Sequence, residues 1–290
     1  MSRSFLFVPA DSERKLAKAR VGDADALIID LEDSVAAAAR PAARKTAVHF
    51  MGSDAPMPLW VRINPLHSED ATLDLEAVMP LAPDGIVLPK CAGGDDIVKL
   101  GKLLDTLEIE HGLPLGRTRV LPIVTEQPAA LFRLHEYAAC AERLAGLTWG
   151  AEDLSAAIGA AANRDAHGRW LPPYELARSL CLFGAATAGV AAVDTVFTNF
   201  KDAAGLLRYA QAARRDGFSG MLAIHPAQVG PINEAFTPTA EEIRRAERIV
   251  NIFAADPAAG VVAMDGEMLD RPHLQQAQRI LEHAGIQTAE

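Results

Sequence analysis

Short apolar runs recur along the chain at Ser4 to Val8, Ala26 to Asp30, Leu59 to Ile63, Gly85 to Leu88, Arg119 to Val124, Gly146 to Trp149, Asp194 to Phe197 and Met221 to Ile224. They are apolar throughout rather than alternating, as strands buried on both faces are. Between them lie stretches rich in Ala, Leu, Glu and Arg with helical periodicity, such as Leu16, Ala19 and Asp23, or Ala130, Leu131, Leu134, Ala138 and Leu144. Eight strand–helix units predict an α/β fold of the closed (β/α)8 TIM-barrel type. An open sheet would need two edge strands that nothing in the sequence protects. No GxGxxG follows the first run, which argues against a dinucleotide site.

The eighth run ends near residue 224, so more chain remains than one closing helix requires. The expected division is a barrel over 1–235 and a C-terminal helical extension over 236–290, which either folds back over the barrel or reaches across to another subunit. Thr239 with Glu242 three residues on forms a capping-box signal for a helix through Phe253. A short apolar run, Val261 to Met264, and a second helix from Pro272 to Ala284 follow.

Composition narrows the partners. The chain of 290 residues is 50% hydrophobic, enough for a large core, and carries 28 Lys and Arg against 38 Asp and Glu, a formal charge of −10. With no dense basic stretch, nucleic acid is excluded as an expected partner. The apolar stretches near the N-terminus and around Ala185 to Val193 are too short for a signal core or a membrane span, so no membrane partner is expected. Three widely spaced cysteines, Cys91, Cys140 and Cys181, fit neither a disulfide framework nor a thiolate metal site, and point to the cytoplasm.

The strand ends carry the chemistry. They present Pro9, Glu32 and Asp33, Arg62 with Asn64, Lys90, Glu126, Glu152 and Asp153, Asn199 and His225. Any one of the acids, taken alone, is an ordinary helix cap; Asp153 reads equally as the cap of a helix through Ala161. Together they combine acids for a divalent cation with Arg62 and Lys90 for an anionic substrate. Glu126 and Asp153 follow consecutive strands, so they are the candidate ligands for one Mg²⁺. The eight histidines show no HExxH or paired spacing, which disfavours zinc. For His225, proximity to a substrate and orientation of a neighbour both stay open.

Several segments resemble, in order, those of the citrate lyase beta subunit and malyl-coenzyme A lyase group within the HpcH/HpaI aldolase and citrate lyase family. They are Arg3 to Lys18, Ile28 to Ala43, Val61 to Asn64, Leu88 to Lys90, Gly150 to Leu154, Gly217 to Gln228 and Gly266 to Ala277. The resemblance implies a magnesium-dependent barrel enzyme with Glu126 and Asp153 on the metal and Arg62 gripping the substrate's carboxylate or carbonyl end. Glu32 and Asp33 would organise metal-bound water, and Arg3, Lys18 and the loop after the first strand would lie where coenzyme A or the substrate enters. It further implies that Asp270 enters a neighbouring subunit's site as an acid/base group, hence a homotrimer. The chain departs from the family at Thr125-Glu126-Gln127, where relatives commonly have Ile-Glu-Thr; the expectation is a more polar surround and an altered choice of carbon skeleton. The reaction implied is carbon–carbon cleavage, or its reverse, of a citryl-, malyl- or citramalyl-type coenzyme A thioester, giving a small keto acid. The alternatives are an aldolase of free 2-keto acids, a thioesterase, and a non-catalytic protein that holds coenzyme A or an acyl carrier.

Overall fold

The computed structural model describes residues 2–286, which divide into two compact units, with the boundary along the chain between Asn233 and Glu234. The first unit opens with β1 (Ser4–Pro9), α1 (Glu13–Arg20), β2 (Ala26–Asp30), α2 (Arg40–Met51), β3 (Leu59–Arg62), α3 (Glu69–Val78), β4 (Gly85–Leu88), α4 (Gly94–Glu110) and β5 (Arg119–Pro122). It continues with β6 (Gly146–Thr148), α5 (Ala151–Ala157), α6 (Pro172–Ala188), β7 (Ala191–Asp194), α7 (Ala203–Asp216) and β8 (Gly220–Ala223), and runs into α8 (Val229–Phe236). The eight strands form one parallel sheet in the order β5-β4-β3-β2-β1-β8-β7-β6. Two parallel bridges, Val120 to Leu144 and Ile123 to Thr148, join its ends, so the barrel is closed by a thinner seam between β5 and β6. A closed barrel leaves no long exposed edge, which is why strands this apolar are tolerated.

Two elements differ from their expected form. The seventh strand is Ala191–Asp194, earlier than the β-branched run Asp194 to Phe197. Pairing of Gly146 with Ala191 and of Asp194 with Met221 decides the register, and it overrides local propensity. The expected helix between β5 and β6 is instead a chain of 3₁₀ turns, Pro128–Phe132 and Leu134–Arg143, with a break at Cys140.

Period-two alternation builds the barrel interior and then its mouth. Phe5, Ile28, Trp60, Leu121 and Leu222 fill the inner layer, with Phe5 and Trp60 edge-to-face at 5.9 Å. A side chain on Gly85 would overlap the Trp60 ring, so that position admits only glycine. Two residues on along the same faces, Asp30 follows Ile28 and Arg62 follows Trp60, and these two are register partners. The inward-facing layer thus changes from hydrocarbon to charge at the C-terminal ends of the strands.

The second unit holds α9 (Ala240–Ala255), the antiparallel pair β9 (Val261–Met264) and β10 (Glu267–Asp270), and α10 (Arg271–His283). The Thr239 capping box forms as expected: Thr239 Oγ1 accepts from the Glu242 N–H at 3.2 Å, and Glu242 Oε2 accepts from the Thr239 N–H at 2.7 Å. Ala246, Ile249, Phe253, Met264, Leu269, Ala277 and Leu281 make its core. No helix among the described residues is long and apolar enough to cross a membrane.

Candidate active site

At the mouth of the barrel a cavity of about 380 Å³ is lined by both acids and apolar side chains, among them Asp30, Asp33, Arg62, Glu126, Glu152, Asp153, Phe7, Trp149 and Leu222. Asp30 is the pivot. It is fully buried and accepts both prongs of Arg62, at 2.7 and 2.6 Å, as well as the N–H groups of Glu32 and Ser34 at 3.0 and 3.2 Å. Burial alone would raise the Asp30 pKa; the Arg62 guanidinium and these N–H donors instead hold it below the usual carboxylate range. Burial likewise opposes the charge on Arg62, yet Asp30, Glu32 and Asp33 fix it as a cation. Its Nη1 lies 3.3 Å from Glu32 and 3.6 Å from Asp33, and its guanidinium covers the Phe7 ring at 4.6 Å.

Lys90 closes the acidic side. Its backbone has φ 52°, rare for a residue with a side chain, and its neighbours hold it there. The Lys90 N–H donates to Glu126 Oε2, and its carbonyl accepts from Gln127 Nε2 at 2.8 Å. The ammonium bonds Glu32 and lies 3.4 Å from Asp33 and 3.5 Å from Asp153. Its pKa is raised: burial disfavours the charge, but the three carboxylates outweigh it.

Glu126 is the unusual acid. Burial, with the charges of Asp153 and Glu32 nearby, pushes its pKa up to about 8, against the opposing pull of the Lys90 N–H. Asp153 stands in the first turn of α5, whose N-cap is Gly150, so it is not the cap that the alternative sequence reading allowed; the helix also ends at Ala157 rather than Ala161. The donor set fits a hard divalent cation. Glu126 and Asp153 line one cavity, the buried Glu32 Oε2 has no hydrogen-bond partner, and two carboxylates with the remaining positions open is how Mg²⁺ is commonly bound. No group of three His, Cys, Asp or Glu among the described residues forms a fuller ligand cluster.

The structure brings together Glu32, Asp33, Arg62, Lys90, Glu126 and Asp153. Lys18 and His225 line a second cavity of about 350 Å³, with Arg14 and Lys15, which shares Phe7, Pro9 and Ile224 with the first. His225 Nδ1 accepts from the Ala227 N–H at 3.1 Å, and its ring stacks on Phe200. Arg3 is not brought to this mouth. It precedes β1, at the opposite end of the barrel, and forks onto Asp25 at 2.8 Å, so its expected place at the substrate entrance is corrected. Asp270 belongs to the second unit, at the N-cap of α10, with its carboxylate 2.5 Å from His273 Nδ1. Asn199 lies in the loop beyond the true end of β7.

The polar departure at Thr125 and Gln127 is also resolved. Thr125 Oγ1 accepts from the Gly150 N–H at 3.1 Å and donates to the Gly150 carbonyl, while Gln127 serves Lys90, so neither side chain lines the cavity. The expected effect of these two residues on the carbon skeleton is therefore not supported.

The sequence reading gives no role at the site to Asp30, which ends the second apolar run, or to Asp194, which opens the seventh. Asp194 accepts from Trp149 Nε1 at 2.7 Å, Arg178 at 2.8 and 3.0 Å, Tyr209 Oη at 3.2 Å and its neighbour Thr195 N–H at 2.8 Å. It thereby fixes the Trp149 ring, which walls the cavity. An acid closing an apolar stretch is the signal at Asp30, and at Asp194 once the seventh strand is placed at Ala191–Asp194.

The sequence profile of the family described as HpcH/HpaI aldolase/citrate lyase matches residues 3–226. The chain belongs to that family. Within it, the chain is 34% identical to the citrate lyase subunit beta of Escherichia coli over 98% of this chain and 93% of the relative. It is 32% identical to the mitochondrial citramalyl-CoA lyase of Rattus norvegicus over 96% and 85%. A crystal structure of the Mycobacterium tuberculosis protein CitE with magnesium, acetoacetate and coenzyme A superposes with a TM-score of 0.80 at 31% identity, covering 98% of both chains. Other structures of that protein hold magnesium with pyruvate (TM-score 0.73, 29% identity, 96% and 97% covered) or oxaloacetate (TM-score 0.69, 32% identity, 81% and 96% covered).

Proposed function

We propose that this HpcH/HpaI family member is a Mg²⁺-dependent carbon–carbon lyase. It cleaves, or in reverse forms, a 3-hydroxy-acyl coenzyme A thioester of the citryl, malyl or citramalyl type. The observation that carries the reading is Glu126, a buried carboxyl with its pKa at about 8, beside Asp153 in a cavity that also holds an ion-paired arginine. Perturbed acids gathered in a cleft mark functional sites. Glu126 and Asp153 would hold Mg²⁺, which supplies Lewis acidity and a template for the substrate's oxygens.

The chain's own groups do the rest. Asp30 aims Arg62, whose Nη1 edge offers a contact to the carboxylate of the departing keto acid. Glu32 and Asp33, next to Arg62 and Lys90, orient water at the acidic wall. The Lys90 ammonium, surrounded by carboxylates, stays protonated and is unsuited to a Schiff base. Lys18, Arg14 and Lys15 on the adjoining cavity are placed for the phosphates of coenzyme A, which favours a thioester substrate over the aldolase of free 2-keto acids. Asp270 of a neighbouring copy would move the proton, making the working form a homotrimer. The three free cysteines fit a cytoplasmic enzyme.

The test is Asp153→Ala. Turnover of acetyl-CoA with a keto acid should fall by about three orders of magnitude or more, Mg²⁺ binding by calorimetry should weaken, and the circular dichroism spectrum should stay that of the parent. Full activity at limiting Mg²⁺ would refute the assignment.

A further inference from the structure

The same cavity carries a charge inventory that discriminates among 2-oxo acids, R–CO–COO⁻, and the inference drawn from it rests on the lyase reading above. The chemistry balances without a redox step. The hydroxyl proton of HO–C(R)(COO⁻)–CH₂–CO–S–R′ leaves to a base, and the electron pair of the breaking C–C bond passes into the thioester enolate. Protonation of that carbon gives R–CO–COO⁻ and CH₃–CO–S–R′. The identity of R is therefore decided by what the cavity offers beyond the groups that hold the first carboxylate.

It offers no second cation. Among the residues lining the cavity the single cation is Arg62, and five carboxylates, Asp30, Asp33, Glu126, Glu152 and Asp153, share the wall with it. Arg62 has given both prongs of its fork to Asp30, and the remaining edge faces Glu32 and Asp33. Lys90, just behind, is spread over Glu32, Asp33 and Asp153. A cation held by Glu126 and Asp153 would supply positive charge to the reacting end of the substrate and none to R. The rest of the wall is mostly apolar, led by Phe7, Ile123, Trp149, Val196, Leu222 and Ile224, with the hydroxyl residues Ser34 and Thr195 as its neutral polar members. Trp149 is fully buried and locked by its bond to Asp194, so this face is not free to turn a polar group inward.

We infer that R is a small uncharged alkyl group, so that the substrate is a 2-oxo monocarboxylate of the pyruvate or 2-oxobutyrate class and not a dicarboxylate of the oxaloacetate class. A second carboxylate would lie among five acids or on a largely apolar face whose neutral polar side chains are Ser34 and Thr195, with no cation to pair it in either place. A methyl or ethyl group is instead removed from water against the apolar face.

The experiment uses the full chain with Mg²⁺ and acetyl-CoA in the condensation direction, with glyoxylate, pyruvate, 2-oxobutyrate and oxaloacetate compared. Mg²⁺-dependent binding of each acid is measured separately by calorimetry. The expected result is a kcat/KM for pyruvate or 2-oxobutyrate at least about tenfold above that for oxaloacetate, with the same order in binding. Val196→Lys places a cation on the apolar face and should raise oxaloacetate relative to pyruvate by about tenfold or more. Ile224→Lys, at a half-exposed position, is the second variant should the first fail to fold. Oxaloacetate equal to or better than pyruvate in both turnover and binding overturns the selectivity while leaving the lyase reading standing. No Mg²⁺-dependent binding or turnover with any of the four overturns the lyase reading, and this inference with it.

Discussion

A proton on Glu126 is the point at which metal, pH and folding meet. Its folded pKa of about 8 lies above the ordinary carboxylate value, so between the two the folded state holds a proton that the unfolded chain has released. The contribution of this group to stability is present below the ordinary range and is lost as pH rises toward about 8. If Glu126 holds the metal, as proposed above, uptake at pH 7 must expel that proton. Calorimetry in buffers of different ionisation enthalpy should read about one proton released per Mg²⁺ bound in the parent and close to none in Glu126→Gln; equal release in both would remove Glu126 from the metal. At Arg62 the fork matters as much as the charge. Arg62→Lys cannot bond both oxygens of Asp30 and still present an edge to substrate, so kcat/KM should fall by about a hundredfold or more. Steady-state kinetics would check this, and an unchanged value would show that the substrate does not use the guanidinium.

At the scale of elements, the turn from β6 into α5 sets the spacing of the two candidate ligands. Gly150 has φ −120° and ψ 124°, a conformation open to any residue, so its need for glycine comes from contact and not from the backbone. A Cβ there would sit 2.8 Å from Glu126 Cγ. Gly150→Ala should therefore weaken Mg²⁺ binding by about tenfold, some 1.4 kcal/mol, while the melting temperature moves by only a few degrees; calorimetry and thermal melts read the two separately. Strand counting and the acids after β2, β5 and β6 were legible in the sequence because buried parallel strands are apolar throughout and end abruptly in charge. Ala191 to Asp194 was not, since alanine has little strand propensity and the stretch is a strand only because β6 and β8 flank it. Lys90 could be named but not understood: its role depends on a positive φ that aims its N–H at Glu126, which no residue type announces.

For the whole molecule, the open question in function is whether one chain suffices. In the second unit Asp265-Gly266 lies between two short apolar runs, and its glycine permits a turn. Both residues have positive φ, 54° and 82°, as a tight two-residue turn between right-twisted strands requires, and β9 and β10 pair across it. That hairpin presents Asp270 at its end, exposed on its own unit. If Asp270 serves a neighbouring copy, mixing inactive Asp153→Ala protein with inactive Asp270→Ala protein under subunit exchange should restore a fraction of the parental turnover. No recovery would confine Asp270 to its own chain or to capping α10. The cap position was foreseeable from residue type, and the structure bears that much out.

The two cavities at the barrel mouth meet only at Phe7, Pro9 and Ile224. Their charged lining residues, Arg62 aside, come from different stretches of chain: the acids close or follow β2, β5 and β6, and the basic side chains Arg14, Lys15 and Lys18 sit on α1. If the basic cavity takes the carrier, as proposed above, substitutions on α1 would reshape that grip without touching the acids, and substitutions on the acidic wall would change the small acid without touching α1.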